Sequence, residues 1–128
     1  MVGIDRDVSA ARALDAPGLE LIEANLEDGR PFPPAGRLFD GVIVTNYLWR
    51  PILSDIVAAV GPAGVLIYET FGIGNERYGR PSNPDFLLRP GELLAAVQPR
   101  LRVIAFEHVR VLEPDRIVQR IAAVGPEH

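Results

Sequence analysis

Short apolar runs alternate with polar, turn-rich stretches at the start of the chain and predict an α/β order of elements. Met1–Ile4 and Leu19–Ile22 are apolar runs of strand length, and Asp7 is suited to cap a helix between them, through Leu14. The stretch Asn25–Arg37 carries several prolines and glycines, which predict turns rather than a helix.

The same alternation continues through the middle of the chain. Gly41–Val44 is an uninterrupted apolar run typical of a buried strand, and the apolar residues from Ile52 to Val60 recur at helical spacing behind Pro51. Gly61–Gly64 is predicted as the turn that ends this helix, and Val65–Thr70 predicts the next strand. The polar segment Phe71–Arg89 then has no periodicity and is unusually long for a loop, a pattern typical of lids.

The last third of the chain predicts one helix and two strands. Gly91–Val97 places leucine and valine on one helical face, and Leu101–Val109 and Ile117–Val124 alternate as strands do. The two strands are predicted to form an antiparallel hairpin. The whole order predicts a single domain, residues 1–128, in which helices cover a mainly parallel sheet.

Composition and charge narrow the classes of function. The 128 residues include no cysteine, so thiolate metal sites, disulfides and cysteine nucleophiles are excluded. Every one of the 13 basic residues is arginine, which excludes a Schiff-base lysine and a phosphate-binding P-loop. The net charge of −4 disfavours a nucleic-acid partner and favours a small-molecule substrate.

The apolar runs are also too short for membrane spans. Ile52–Val60 is far below the length that crosses a bilayer, and the first residues lack the pattern of a signal peptide. The sequence therefore predicts a cytoplasmic protein without a membrane partner.

Polar residues follow each predicted strand, where ligands bind in open parallel sheets. Asp5 closes the first run, and its carboxylate suits either the paired hydroxyls of a ribose or the cap of the following helix. Asn25 and Leu26 follow the second run, Thr45 follows the third, and the segment from Phe71 onward follows the fourth.

Five segments together resemble the class I S-adenosylmethionine-dependent methyltransferases, particularly the tellurite-resistance-like branch. The Asn83–Leu93 stretch is the most distinctive of these matches. The segments are GIDRD, EANLEDG, FDGVIVTNYLWRP, GPAGVLIYETF and RPSNPDFLLRPGELL. The resemblance runs over essentially the whole chain and implies a Rossmann-like fold ending in an antiparallel hairpin.

The resemblance also implies roles for individual residues. Asp5 would bind the ribose of S-adenosylmethionine, and Arg6 would flank its adenine. Asn25 and Leu26 would hold the adenine edge and face, and Thr45 would line the methionine end. The residues expected to face the acceptor are Asn46, Tyr47, Tyr78, Arg80 and Asn83.

No catalytic side chain is demanded, because methyl transfer depends mostly on holding the nucleophile and the activated methyl group in line. If the acceptor must lose a proton, the residues available as a base are Tyr47, Tyr78, Glu69 and Glu76, and spacing does not choose among them. No metal site is predicted.

The family's first strand and its glycine-rich cofactor loop would lie about 20 residues upstream of Asp5. The expected fold is thus truncated, with the first strand missing, weak or absent cofactor binding, and free sheet edges through which a homodimer would form. Two further interpretations stay open: a non-catalytic binding or interaction domain derived from a methyltransferase, and an unrelated small α/β domain.

Overall fold

The computed structural model of the chain describes residues 37–128 and the backbone of 2–5 and 20–23. The two short strands, β1 (Val2–Asp5) and β2 (Glu20–Glu23), pair in parallel within the compact unit Met1–Arg37. The helix predicted behind Asp7 and most of the turn-rich stretch that follows β2 lie outside the described residues. A single domain over the whole chain remains a prediction.

The second compact unit, Leu38–His128, contains a four-stranded sheet and two short helices. Apart from three single 3₁₀ turns, its elements follow the predicted order. They are β3 (Phe39–Thr45), α1 (Leu53–Ala58), β4 (Val60–Phe71), α2 (Glu92–Val97), β5 (Arg102–Val111) and β6 (Arg116–Val124), with the 3₁₀ turns at Arg50–Ile52, Asn75–Arg77 and Pro84–Phe86.

The sheet order is β3-β4-β6-β5. β3 and β4 run parallel, whereas β6 is antiparallel to both β4 and β5. The predicted C-terminal hairpin is confirmed, since β5 and β6 are joined by the short turn 112–115. The larger sheet is nevertheless mostly antiparallel rather than mainly parallel, because β6 lies between β4 and β5 and opposes both. The other parallel pairing is β1–β2.

The segment Gly61–Gly64, predicted as a turn between helix and strand, belongs to β4 as an outward excursion. Phe39 pairs with Val60, and the ladder resumes only at Gly41 and Val65. The amide of Phe39 donates to the carbonyl of Ala59 at 2.8 Å, so β4 is held by β3 on both sides of the excursion. A local turn signal does not reveal this pairing, which is made by a distant strand.

One face of the sheet carries the core. Leu66, Tyr68 and Thr70 of β4 are buried, and their cross-strand partners on β6 are buried too. Both helices pack on this face, because they contact each other as well as the strands. The buried helical side chains are Leu53, Ile56, Val57, Leu93 and Val97.

On the opposite face, Ile43 and its partner Ile67 are 70% and 41% exposed. A row of charged residues crosses the same face, where Arg120 binds Glu69 and Glu107 at 3.0 Å each. Each carboxylate lies directly opposite the arginine in the strand register, so the pairs are cross-strand neighbours. No helix among residues 38–128 covers this face.

Candidate cofactor and acceptor site

The parallel strands β3 and β4 end at the same edge of the sheet, where the candidate site begins. Thr45 is the last residue of β3, and Asn46 turns the chain with a φ of 53°. Asparagine tolerates this left-handed conformation better than most residues. The amide of Asn46 donates to the carbonyl of Glu69 at 2.9 Å, which fixes the turn against β4. The side chains of Thr45 and Asn46 are exposed.

A buried tyrosine fixes the residue that follows this turn. The hydroxyl of Tyr68, in the centre of β4, donates to the carbonyl of Tyr47 at 2.8 Å. Burial raises the pKa of Tyr68, and the neighbouring Tyr47 and Glu92 raise it further. The phenol therefore stays neutral and remains a donor, so the backbone of Tyr47 has a defined position behind β3.

Arg50 joins the segment after β3 to the segment that precedes α2. Its Nε and Nη2 donate to the two carboxylate oxygens of Glu92 at 2.7 and 2.9 Å. Nη1 donates to the carbonyl of Asp85 at 3.0 Å, and Nη2 donates to that of Leu87 at 2.8 Å. Sequence reasoning missed Arg50 and Glu92, because the signal is a pairing of residues that lie far apart in the chain.

Gln119 connects the same segment to β5. Its Oε1 accepts from the amide of Leu93 at 2.8 Å, and its Nε2 donates to the carbonyl of Arg89 at 2.8 Å and to Nδ1 of His108 at 2.9 Å. Nε2 of His108 then donates to the carbonyl of Ile73 at 3.0 Å. This arrangement corresponds to the tautomer with its proton on Nε2. The role of His108 in this network is structural.

The long polar segment after β4 is anchored rather than free. Asn75 is buried, accepts from the amide of Ile117 at 3.1 Å and donates to the carbonyl of Pro81 at 2.9 Å. Leu87 and Leu88 are also buried in the core. The two ends of the segment are therefore fixed to the sheet, and the exposed part is the loop 76–86.

Two of the acceptor residues predicted on this loop have contacts in different parts of the chain. Tyr78 lies against Arg110 of β5, whose guanidinium carbon is 5.2 Å from the ring centroid. Asn83 accepts from the amide of Asp85 at 2.9 Å and so caps the turn that follows it. Arg80 is exposed. The Glu76 carboxylate accepts from the amide of Gly74 at 2.8 Å. Hydrogen bonds from the backbone of Glu76 itself and from that of Gly74 lower the pKa of Glu76.

Of the predicted cofactor residues, Thr45 ends β3 and is followed by Asn46 and Tyr47, two of the residues predicted for the acceptor. Asp5 is the last residue of β1, as the sequence predicts, and only its backbone is described. Arg6, Asn25 and Leu26 lie outside the described residues. How the groups of the first unit stand to those of the second stays a prediction.

The described part of the chain was searched for metal-ligating groups and for membrane-spanning helices. It contains no group of three or more histidine, aspartate or glutamate side chains arranged to hold a metal ion. None of its helices has the length and apolar character needed to cross a bilayer.

Comparisons with known proteins identify the fold through solved structures. No protein-family model matches the chain, and no curated protein matches it by sequence. The N-methyltransferase NodS from Bradyrhizobium japonicum WM9 is similar with a TM-score of 0.69 and 14% identity, over 98% of this chain and 73% of that one. NodS has also been solved in complex with S-adenosyl-L-homocysteine.

Other similar structures come from different methyltransferases. TehB from Haemophilus influenzae has a TM-score of 0.70 at 8% identity, over 97% of this chain and 49% of that one. The 16S rRNA (adenine(1408)-N(1))-methyltransferase from Catenulisporales acidiphilia has a TM-score of 0.61 at 16% identity, over 97% and 75%. The chain thus spans between about half and three quarters of these structures. It has the fold of the class I S-adenosylmethionine-dependent methyltransferases.

Proposed function

We propose that the chain is part of an S-adenosylmethionine-dependent methyltransferase that acts on a small-molecule acceptor. The observation that carries this proposal is the edge where β3 and β4 end. There an exposed hydroxyl and amide, Thr45 and Asn46, follow β3, and the anchored polar segment that follows β4 begins on the same side of the sheet, in a fold shared with solved methyltransferases. A ligand that spans this edge would meet polar groups from both segments.

The residues at this edge suit the methionine end of the cofactor. Thr45 offers a hydroxyl that donates and accepts, and Asn46 offers an amide, so the amino and carboxylate groups of the ligand could both be bound. Asp5 would accept from the ribose hydroxyls, with Arg6, Asn25 and Leu26 around the adenine. S-adenosylmethionine, when bound, supplies a methyl group already activated on sulfonium sulfur.

The task of the chain's own residues is then to hold the acceptor in line and exclude water. Asn46, Tyr47, Tyr78, Arg80 and Asn83 are the residues proposed for the acceptor. A small molecule is favoured over RNA because the chain is acidic, with a net charge of −4. We also propose a cytoplasmic location and a homodimer formed through free sheet edges.

Calorimetric titration with S-adenosyl-L-homocysteine tests the cofactor site. Binding in the micromolar range or weaker is expected for the unaltered chain. Asp5→Ala should weaken it roughly tenfold to 100-fold, because a carboxylate that accepts from a ribose contributes as a charged hydrogen bond. Asp115→Ala, at an exposed carboxylate on the β5–β6 turn, is the matched control. An unaltered chain that shows no heat of binding at millimolar ligand contradicts the proposal and favours a non-catalytic binding domain.

A direct comparison of acceptors tests the substrate class. Tritium transfer from labelled S-adenosylmethionine is measured with a panel of small amines, phenols and carboxylates, and separately with a structured RNA. The proposal expects label in a small molecule and none in RNA. Label recovered in the RNA fraction would overturn the choice of acceptor while leaving the methyltransferase assignment intact.

A further inference from the structure

The guanidinium of Arg50 joins the segment after β3 to α2 and to the segment that precedes α2. In the chain, Arg50 follows shortly after Thr45–Tyr47, the residues of the candidate site at the end of β3. Its hydrogen-bond partners are Glu92 and the carbonyls of Asp85 and Leu87. Asp85 and Leu87 lie at the end of the exposed loop 76–86. Arg50 therefore bonds the β3 side of the candidate site to the far end of that loop.

The loop has different supports at its two ends. Near its start, Asn75 bonds to β6 and back to Pro81. Near its end, Leu87 and Leu88 are buried, and the carbonyls of Asp85 and Leu87 accept from Arg50. Both ends of the loop are thus held by the sheet, since the amide of Leu88 donates to the carbonyl of Phe71 at 3.0 Å. At the far end, Arg50 adds the bonds that tie the loop to the segment after β3.

Glu92 completes the arrangement by orienting the arginine. Its Oε1 also accepts from the amide of Arg89 at 2.9 Å, so the carboxylate is itself fixed at the start of α2. The bidentate pair leaves the second edge of the guanidinium aimed at the loop carbonyls. A lysine ammonium could not match this planar fork, because it presents one compact charge on a flexible stem.

We propose that Arg50 is a positioning residue of the acceptor site, which with Glu92 holds the loop 76–86 against the residues that follow β3. The part of the acceptor site that the loop provides is then in place before any ligand binds. This inference rests on the proposed methyltransferase function. The clamp, which is Arg50 with Glu92 and the carbonyls of Asp85 and Leu87, can nevertheless be tested without a ligand.

Hydrogen–deuterium exchange of the full chain, with Arg50→Lys, tests the clamp. Lysine keeps the charge but loses the fork, so exchange in peptides covering 72–88 should rise roughly tenfold or more, while β4 and β6 stay protected. Arg120→Lys is the matched control. Arg120 also binds two carboxylates, Glu69 and Glu107, but on the other face of the sheet, and it should leave the loop unchanged.

Two exchange results would overturn the proposal. Unchanged exchange in 72–88 would show that the arginine does not hold the loop, and exchange raised equally through β4 and β6 would show a general structural role. The functional readout is separate. With an acceptor that the unaltered chain methylates, Arg50→Lys should raise KM for the acceptor at least about tenfold. The affinity for S-adenosyl-L-homocysteine should change less than about twofold.

A third result concerns the proposed function rather than the clamp. If the unaltered chain binds no S-adenosyl-L-homocysteine, the methyltransferase proposal fails, and the exchange data still decide whether Arg50 holds the loop. If the ligand binds and Arg50→Lys weakens it as much as it weakens the acceptor, Arg50 supports the cofactor side, and the assignment to the acceptor site is wrong.

Discussion

Gln119 shows how a single polar residue connects the core to the candidate site. On β6, the alternate residues Ile121 and Ala123 face the core, and Gln119 has the same parity and an exposed fraction of 0%. A polar residue at a core position is a sequence signal for a buried hydrogen-bonded network. Its amide bonds satisfy groups on α2, on β5 and on the segment that precedes α2.

Replacing this amide should be costly. Gln119→Leu would leave the amide of Leu93, the carbonyl of Arg89 and Nδ1 of His108 without their partner. We expect a loss of about 2–4 kcal/mol in the free energy of unfolding, since each buried unsatisfied group costs about 1–3 kcal/mol and some relaxation offsets the sum. Urea unfolding measures the change. Gln98→Leu, at an exposed glutamine, should alter stability by less than about 0.5 kcal/mol.

Gly72 lies close to the imidazole of His108, with no room for a side chain. A methyl group there would collide with the ring of His108, whose Nε2 and Nδ1 would lie only 3.0 and 3.1 Å from it. Gly72→Ala should therefore displace the imidazole and cost about 1–3 kcal/mol in thermal or urea unfolding. Gly41→Ala is the control, because nothing lies within 4 Å of its added carbon. Equal stability of the two variants would show that the ring moves freely.

Periodicity predicted nearly every described helix and strand, because apolar spacing and burial coincide. The buried residues of α1 are those that recur at helical spacing after Pro51. The strand order was not predictable, since nothing in the alternation of β5 and β6 tells which of them contacts β4. The anchoring of the segment after β4 was also missed. It depends on Asn75, whose partners lie on β6 and at Pro81.

The Arg50–Glu92 pair joins the segment after β3 to α2 and should make the stability of the fold depend on pH. Hydrogen bonding from Arg50 holds the pKa of Glu92 below its usual value, and partial burial opposes this effect. A carboxyl with a lowered pKa in the folded state stabilises the fold above its unfolded pKa. This contribution is lost as the pH falls from the ordinary glutamate range through the lower folded pKa.

Comparing unfolding curves at neutral pH and at successively lower pH measures this effect. The unaltered chain should lose stability in the acid range, and Glu92→Gln should flatten the part of the slope that this group contributes. Arg50→Met should flatten it too, because the lowered pKa has the arginine as its main cause. A slope that is the same in all three proteins would mean that Glu92 titrates alike in the folded and unfolded states.

For the whole molecule, the two edges of the four-stranded sheet differ in how well they are protected. β5 carries Arg102, Glu107 and Arg110, and its pairing is irregular between Val103 and Ala105. Charges and bulges of this kind discourage pairing with another chain. On β3, the run Gly41–Thr45 has no charge and pairs regularly with β4, so β3 is the edge favoured for the proposed homodimer.

The backbone pattern of β3 designates the residue to alter. The amide of Asn46 points to β4, and alternation along a parallel ladder then turns the amide of Ile43 away from it. Ile43→Pro should remove one outward donor while keeping the pairing with β4, since proline is tolerated at such positions of edge strands. Light scattering coupled to gel filtration should then show a dimer for the unaltered chain and for Ile43→Val, and a monomer for Ile43→Pro with unchanged circular dichroism. A dimer that survives Ile43→Pro would exclude the β3 edge, and a monomeric unaltered chain would remove the homodimer altogether.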